Sequence, residues 1–239
     1  MGLTIYYELS VRERLKVAVV RELVQRVAQY AEKIGCAEVG QVRRAAGDDR
    51  NAGLFVQAGR PEDYCFGIIP AKRGWVVEVW PGEGCEDATF ALCQYAYRVL
   101  SAIGDVPTGF EGGWLLKSRC KTQYAGEHGW PHFLKCHKQI ISLLDFWRDL
   151  GVQVEVSDEG CYWETRSEEP LRERLEQYNG LIAWVGEMVK DASGAPDGPF
   201  KVESPIFDYA HFERLEHEGR QRFGGPVEEL RKKCREGLF

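Results

Sequence analysis

The sequence predicts an α+β fold: one domain in which about three long helices pack on a mixed or mainly antiparallel sheet, followed by a short helical C-terminal extension. Three observations carry this. Short β-rich runs separated by Gly and Pro crowd residues 53–82, as antiparallel strands joined by turns do. Three other stretches repeat apolar residues at the three-and-four spacing of a buried helical stripe. Strands and helices also fail to alternate in the regular way that a doubly wound parallel sheet demands.

In chain order, Leu3 to Leu9 mixes β-branched and aromatic residues and reads as a strand. From Arg12 to Ile34 the apolar positions Leu15, Val19, Val20, Leu23, Val24, Val27, Tyr30, Ala31 and Ile34 share one helical stripe, which Gly35 ends. "AEVGQV", "GLFVQAG", "YCFGIIP" and "GWVVEVWPG" resume extended patterning, and "GGWLLKSRC" continues it. "EDATFALCQYAYRVL" fits either a helix or a strand. Pro131 suits the first turn of a second helix, whose face Phe133, Ile140, Leu144 and Trp147 share as far as Gly151. A strand with Val152, Val154 and Val156 on one side follows. Ser167 can cap a third helix carrying Leu171, Leu175, Tyr178, Ile182, Val185 and Val189. The domain is expected to span residues 1–192. Residues 193–239 read as the linker "SGAPDGP" and a charged extension of short helices docked on the domain.

Composition limits the function classes. The 239 residues are 44% hydrophobic, enough for a sizeable core. Lys and Arg total 31 against 37 for Asp and Glu, so the basic footprint of a nucleic-acid binder is missing and no nucleic-acid partner is expected. No apolar run approaches the ~20 residues of a membrane span, so no membrane association is expected either. Eight cysteines follow an opening that runs straight into a strand with no leader pattern, which points to a cytoplasmic protein with free thiols.

The reactive residue types concentrate in "CKTQYAGEHGWPHFLKCHKQ", Cys120 to Gln139. Cys120, His128, His132 and Cys136 are zinc-type ligands, but the chain has no CxxC pair, so no metal ligand set is assigned; zinc or a divalent cation is open as a cofactor. Cys136 and His137 are helix neighbours pointing about 100° apart and do not form a dyad. Both flank the stripe centred on Ile140, so His137 leans inward toward the sheet. Two loops that leave strands, "WPGEGCED" and "VSDEGCYWE", present Glu83, Glu86, Asp158, Glu159, Tyr162 and Glu164. If their strands lie side by side with ends together, carboxylates converge, as acid–base chemistry or a hard cation requires.

The expected site therefore holds Glu83, Glu86, His137, Asp158 and Glu159 as acid, base or proton carrier, with Lys121 facing an anionic group. Gln123, Tyr124, Tyr162 and Glu164 would bind the ligand. Such a pocket would act on a small polar ligand, as a hydrolase or transferase. The competing expectation is a non-catalytic accessory protein that binds a protein partner through an acidic face and charged C-terminal helices.

Overall fold

Alternation along β1 (Thr4–Val11) sends Ile5, Tyr7 and Leu9 into the core while Tyr6, Glu8 and Ser10 face the other way. The strand pairs on both sides, so it lies inside the sheet. The computed structural model describes residues 3–45, 50–58, 65–101, 104–192, 206, 209 and 212–235. After β1 come α1 (Val17–Lys33), β2 (Glu38–Val39), β3 (Arg43–Arg44), β4 (Leu54–Ala58), β5 (Cys65–Ile69), β6 (Arg73–Trp80), β7 (Ala88–Gln94), β8 (Arg98–Ser101) and β9 (Gly104–Pro107). They are followed by β10 (Trp114–Lys121), α2 (Trp130–Asp149), β11 (Gln153–Asp158), α3 (Tyr162–Thr165), α4 (Glu168–Ala192) and α5 (Phe212–Arg235).

The main sheet runs β11-β1-β10-β7-β6-β2, with β3 also on β6, and every pairing in it is antiparallel. This is the predicted α+β class. Helices α1 and α2 cover one face. Val20, Val24, Val27 and Ala31 of α1 and Ile140, Leu144 and Trp147 of α2 are buried with Ile5, Leu9, Phe90 and Leu116. Tyr7 stacks on Phe90, and Tyr30 of α1 stacks on Phe146 of α2 with centroids 4.2 Å apart. On the opposite face the β4–β5 hairpin packs on β10, with Leu54 and Ile69 buried. Farther along that face the sheet meets water with polar residues, including the Glu8–Lys117 ion pair at 2.9 Å.

Local differences from expectation have physical causes. Helix α1 begins at Val17 instead of Arg12, because β1 stays paired through Val11 opposite Trp114 and Lys16 is still extended. The ambiguous "EDATFALCQYAYRVL" supplies β7 and the start of β8. Ala88 to Cys93 are buried on both faces, which erases the alternation that marks a strand. The extension after residue 211 is one helix of 24 residues instead of two short ones, continuing through Gly224 and Pro226. The breaker signals at these two residues alone predict a stop, and α5 meets α4 before them, at Gly219 against Gly180. The linker Ser193 to Pro199 lies outside the described residues.

The α4–α5 contact is closest where the two helices meet glycine to glycine. A Cβ on Gly219 would lie 1.9 Å from the Gly180 carbonyl oxygen. Gly219→Ala is therefore expected to destabilise the docking of α5 by about 1–3 kcal/mol. Amide exchange in α5 should accelerate while exchange in the sheet stays unchanged; protection of α5 equal to the wild type would contradict this packing.

Candidate functional site

Register assembles the site. Ile5 of β1 stands between Cys120 of β10 and Asp158 of β11, so the three side chains share the face covered by α2. Thr122, two residues beyond Cys120, points the same way. From above, α2 lowers His137 between Thr122 and Asp158. His137 Nε2 lies 3.2 Å from Asp158 Oδ2, and Nδ1 lies 3.0 Å from Thr122 Oγ1. A carboxylate only accepts, so Nε2 carries a proton and donates it to Asp158. Nδ1 meets the Thr122 hydroxyl, accepting from it when the ring is neutral and donating to it when the ring is charged.

The remaining capacity of Asp158 is used locally. Its Oδ1 accepts from the Gly160 amide at 2.8 Å, and Oδ2 accepts from the amides of Tyr162 and Trp163 at 2.8 and 2.9 Å, the first two residues of α3. Burial pushes the Asp158 carboxyl up, but the His137 hydrogen bond and charge, with the Trp163 and Gly160 amides, outweigh it and hold it below its ordinary value. The imidazole packs against Phe133 and meets Tyr162 edge-on. The order hydroxyl, imidazole, carboxylate is the one that activates a nucleophile. Here Thr122 and His137 have no exposed surface, so a substrate has no approach to the hydroxyl.

Gln123 and Glu159 hold the start of β1. Gln123 Oε1 accepts from the Leu3 amide at 3.1 Å, its Nε2 donates to Asn179 of α4, and its carbonyl accepts from the Tyr209 hydroxyl. Glu159 Oε2 accepts from the Thr4 amide at 2.9 Å. Both side chains spend their hydrogen bonds on the chain itself.

The other predicted residues lie outside this knot. Glu83 and Glu86, on the β6–β7 turn, are exposed. Glu86 accepts from the Lys121 amide at 3.3 Å, and the Lys121 ammonium sits over the Tyr124 ring at 4.5 Å. The turn packs tightly on this segment: Gly84, at φ +75°, has its α-carbon so close that a Cβ would lie 2.4 Å from the Tyr124 carbonyl. Tyr162 is half-buried under Lys138, and Glu164 is exposed.

The expectation that the two acid-bearing strands lie side by side is corrected by the sheet order. β6 and β11 run in the same direction, so their loops leave the same end of the sheet, but β1, β10 and β7 separate them. Four strand spacings of ~4.8 Å put them about 19 Å apart. Asp158 is in the core while Glu83 and Glu86 meet water, so these acids form no shared carboxylate site. Among the described residues no group of three or more His, Cys, Asp or Glu is arranged to hold a metal. Cys120 instead donates to the Glu86 carbonyl at 3.2 Å, and His132 Nε2 contacts the Glu83 carbonyl at 2.9 Å.

Reasoning from sequence missed Thr122 as the partner of His137; it lies two residues beyond Cys120, just past the end of β10. It also missed Asn179, whose polarity on the buried stripe of α4 had no visible partner. Comparison of the chain with protein-family models, with curated proteins and with solved structures finds no match in any of the three.

Asp158→Asn removes the charge that His137 and three amides satisfy and is expected to destabilise the fold by about 3 kcal/mol in urea unfolding at neutral pH. Because the folded-state carboxyl lies below its unfolded value, the stability it contributes is present above the ordinary Asp range and is lost as pH falls through that range and below it. The wild type should thus lose more stability than Asp158→Asn between about pH 6 and about pH 3. Parallel pH curves for the two proteins would contradict the role given to Asp158.

Proposed function

We propose that this protein is a non-catalytic interaction protein that binds a protein partner through apolar side chains on its two small hairpins. The observation that carries the reading is the cross-strand pair Phe55 and Ile68, which stand opposite each other on β4 and β5 and are 59% and 52% exposed. Their neighbours Leu54 and Ile69 are buried, so the hairpin is anchored by one face and offers the other to water. Tyr97 and Leu100, at 60% and 87% exposed, add apolar surface at the β8–β9 hairpin. Water-facing apolar pairs of this size have burial left to gain, and aromatic and aliphatic anchors are what protein interfaces bury at their centres.

The acidic balance supports a protein partner over an anionic lipid surface, which a net charge of -6 repels. A cleft of about 390 Å³ lined by Glu38, Trp80 and Asp87, and by Glu78 already paired with Arg43 at 2.8 Å, adds a further concavity with acidic groups. A second reading, turnover of a small polar ligand, draws support from the order Thr122, His137, Asp158. It requires the segment that seals these groups to open, and the interaction reading requires no rearrangement.

Phe55 and Ile68 are each more than half exposed, so Phe55→Ser with Ile68→Ser should leave the circular dichroism spectrum that of a folded protein. A partner isolated with the wild type from its native cell, purified and titrated, should bind at one-to-one stoichiometry and weaken on the order of 100-fold with the double variant. Equal binding by the variant would overturn the proposal, as would the absence of any stoichiometric partner.

A further inference from the structure

We propose that the outer edge of β11 takes up an extended strand of a partner protein that carries a lysine or arginine between two β-branched residues. Antiparallel strands bond each other through alternate residues, so the phase of the pairing decides which backbone groups face outward. Two bonds just beyond the strand ends set that phase: the Thr122 amide donates to the Leu3 carbonyl at 3.0 Å, and the Glu159 amide donates to the Thr4 carbonyl at 3.2 Å. Odd-numbered residues of β1 therefore bond β10, and even-numbered ones bond Gln153, Glu155 and Ser157 of β11. The amides and carbonyls of Val154 and Val156 point the other way, off the sheet.

Among the described residues no strand lies beyond β11. The outward groups on either side are used within the chain, since the Val152 amide donates to the Trp147 carbonyl at 3.2 Å and the Asp158 carbonyl accepts from the Cys161 amide at 3.0 Å. Val154 and Val156 are left as the open stretch, each with one donor and one acceptor. The other side of the sheet is different. There β6 carries β2 and β3, of two residues each, and strands that short blunt an edge. β11 has six residues with no Pro, Gly or Lys among them, and Gln153, Glu155 and Ser157 are exposed.

Charge selects the strand that fits. Lys117, Glu8 and Glu155 stand in one row across three strands. Lys117 holds Glu8 at 2.9 Å, whereas Glu155, directly opposite Glu8, accepts from the Gln153 side-chain amide at 3.1 Å and has no ion pair among the described residues. Like charges directly opposite each other are unfavourable, and a cation next in the row offsets them. On the other face Val154 and Val156 are half-buried and continue the rows of Leu9 and Tyr7. The residues before and after the cation would extend those apolar rows, which gives the alternation β-branched, basic, β-branched. Residues opposite each other share a face in parallel and antiparallel pairs alike, so the pattern holds for either direction. This is recognition by strand addition, in which backbone bonds hold the peptide and alternate side chains choose it. It does not rest on the β4–β5 hairpin.

The test titrates the full-length, isotope-labelled protein at low ionic strength with the capped pentapeptide Ser-Val-Lys-Val-Ser and follows each amide by nuclear magnetic resonance and hydrogen exchange. The amides of Val154 and Val156 should shift and gain protection, while those of Gln153, Glu155 and Ser157, already bonded to β1, keep theirs. The same peptide N-methylated at both valines should not bind. Glu155→Lys, a change at an exposed position whose folding circular dichroism checks, should weaken the lysine peptide about fivefold, and Ser-Val-Glu-Val-Ser should recover the loss. A purely structural role for Glu155 would not produce that exchange of preference. Unchanged Val154 and Val156 amides at millimolar peptide, equal binding of the N-methylated peptide, or equal binding of the lysine and glutamate peptides would each overturn the proposal. Protection of Val154 and Val156 without peptide would overturn it too: protection that rises with protein concentration assigns the edge to a second copy of this chain, and constant protection assigns it to the chain itself.

Discussion

The contact between His137 and Asp158, closed on its far side by Thr122, is the constraint around which this end of the molecule is organised. A carboxylate can be buried only if its charge and lone pairs are met, and Asp158 meets them with one imidazole and three backbone amides. Each partner comes from a different piece of chain: β10's exit gives Thr122, α2 gives His137, β11 ends in Asp158, and α3 starts on its oxygens. Once that set closes, the chain's path out of β11 is settled, because Gly160, Tyr162 and Trp163 have to aim their amides at one side chain. Gln123 repeats the device a residue away, binding Leu3 of the N-terminal segment and Asn179 of α4.

This arrangement separates reactive residue types from reactive function. Thr122, His137 and Asp158 have the order of a nucleophile, its base and the base's orienting acid, but their hydrogen bonds terminate within the protein and their surface is gone. Groups exposed to solvent lie elsewhere. Phe55 and Ile68 on the β4–β5 hairpin are each more than half exposed, and the acids of the β6–β7 turn face solvent.

Much of the fold was legible because burial on one face leaves a period in the sequence. The stripe of α2, with Phe133, Ile140, Leu144 and Trp147, and the positions Val20, Val24, Val27 and Ala31 of α1 are buried as their spacing predicts, whereas Val19 of the α1 stripe is exposed. The inward lean of His137 followed from its place beside that stripe. What remained hidden depends on pairing between distant segments. Nothing local to "VSDEGCYW" says that β1 and β10 lie between it and the loop carrying Glu83 and Glu86, so a sequence likeness between two acidic loops suggested a convergence that the sheet order forbids. The continuity of α5 through Gly224 and Pro226 was hidden because local breaker residues are a weak guide to where a helix ends.

The central claim is that the Thr122, His137 and Asp158 set is a closed structural knot. Native-state hydrogen exchange at the Gly160, Tyr162 and Trp163 amides, which donate to Asp158, reads this directly as denaturant is raised below the unfolding transition. The account predicts that these amides exchange only through global unfolding, with the same denaturant dependence and free energy as core amides of β1. Exchange through a low-energy local opening that denaturant does not affect would contradict it, because the knot would then be a lid over an accessible site.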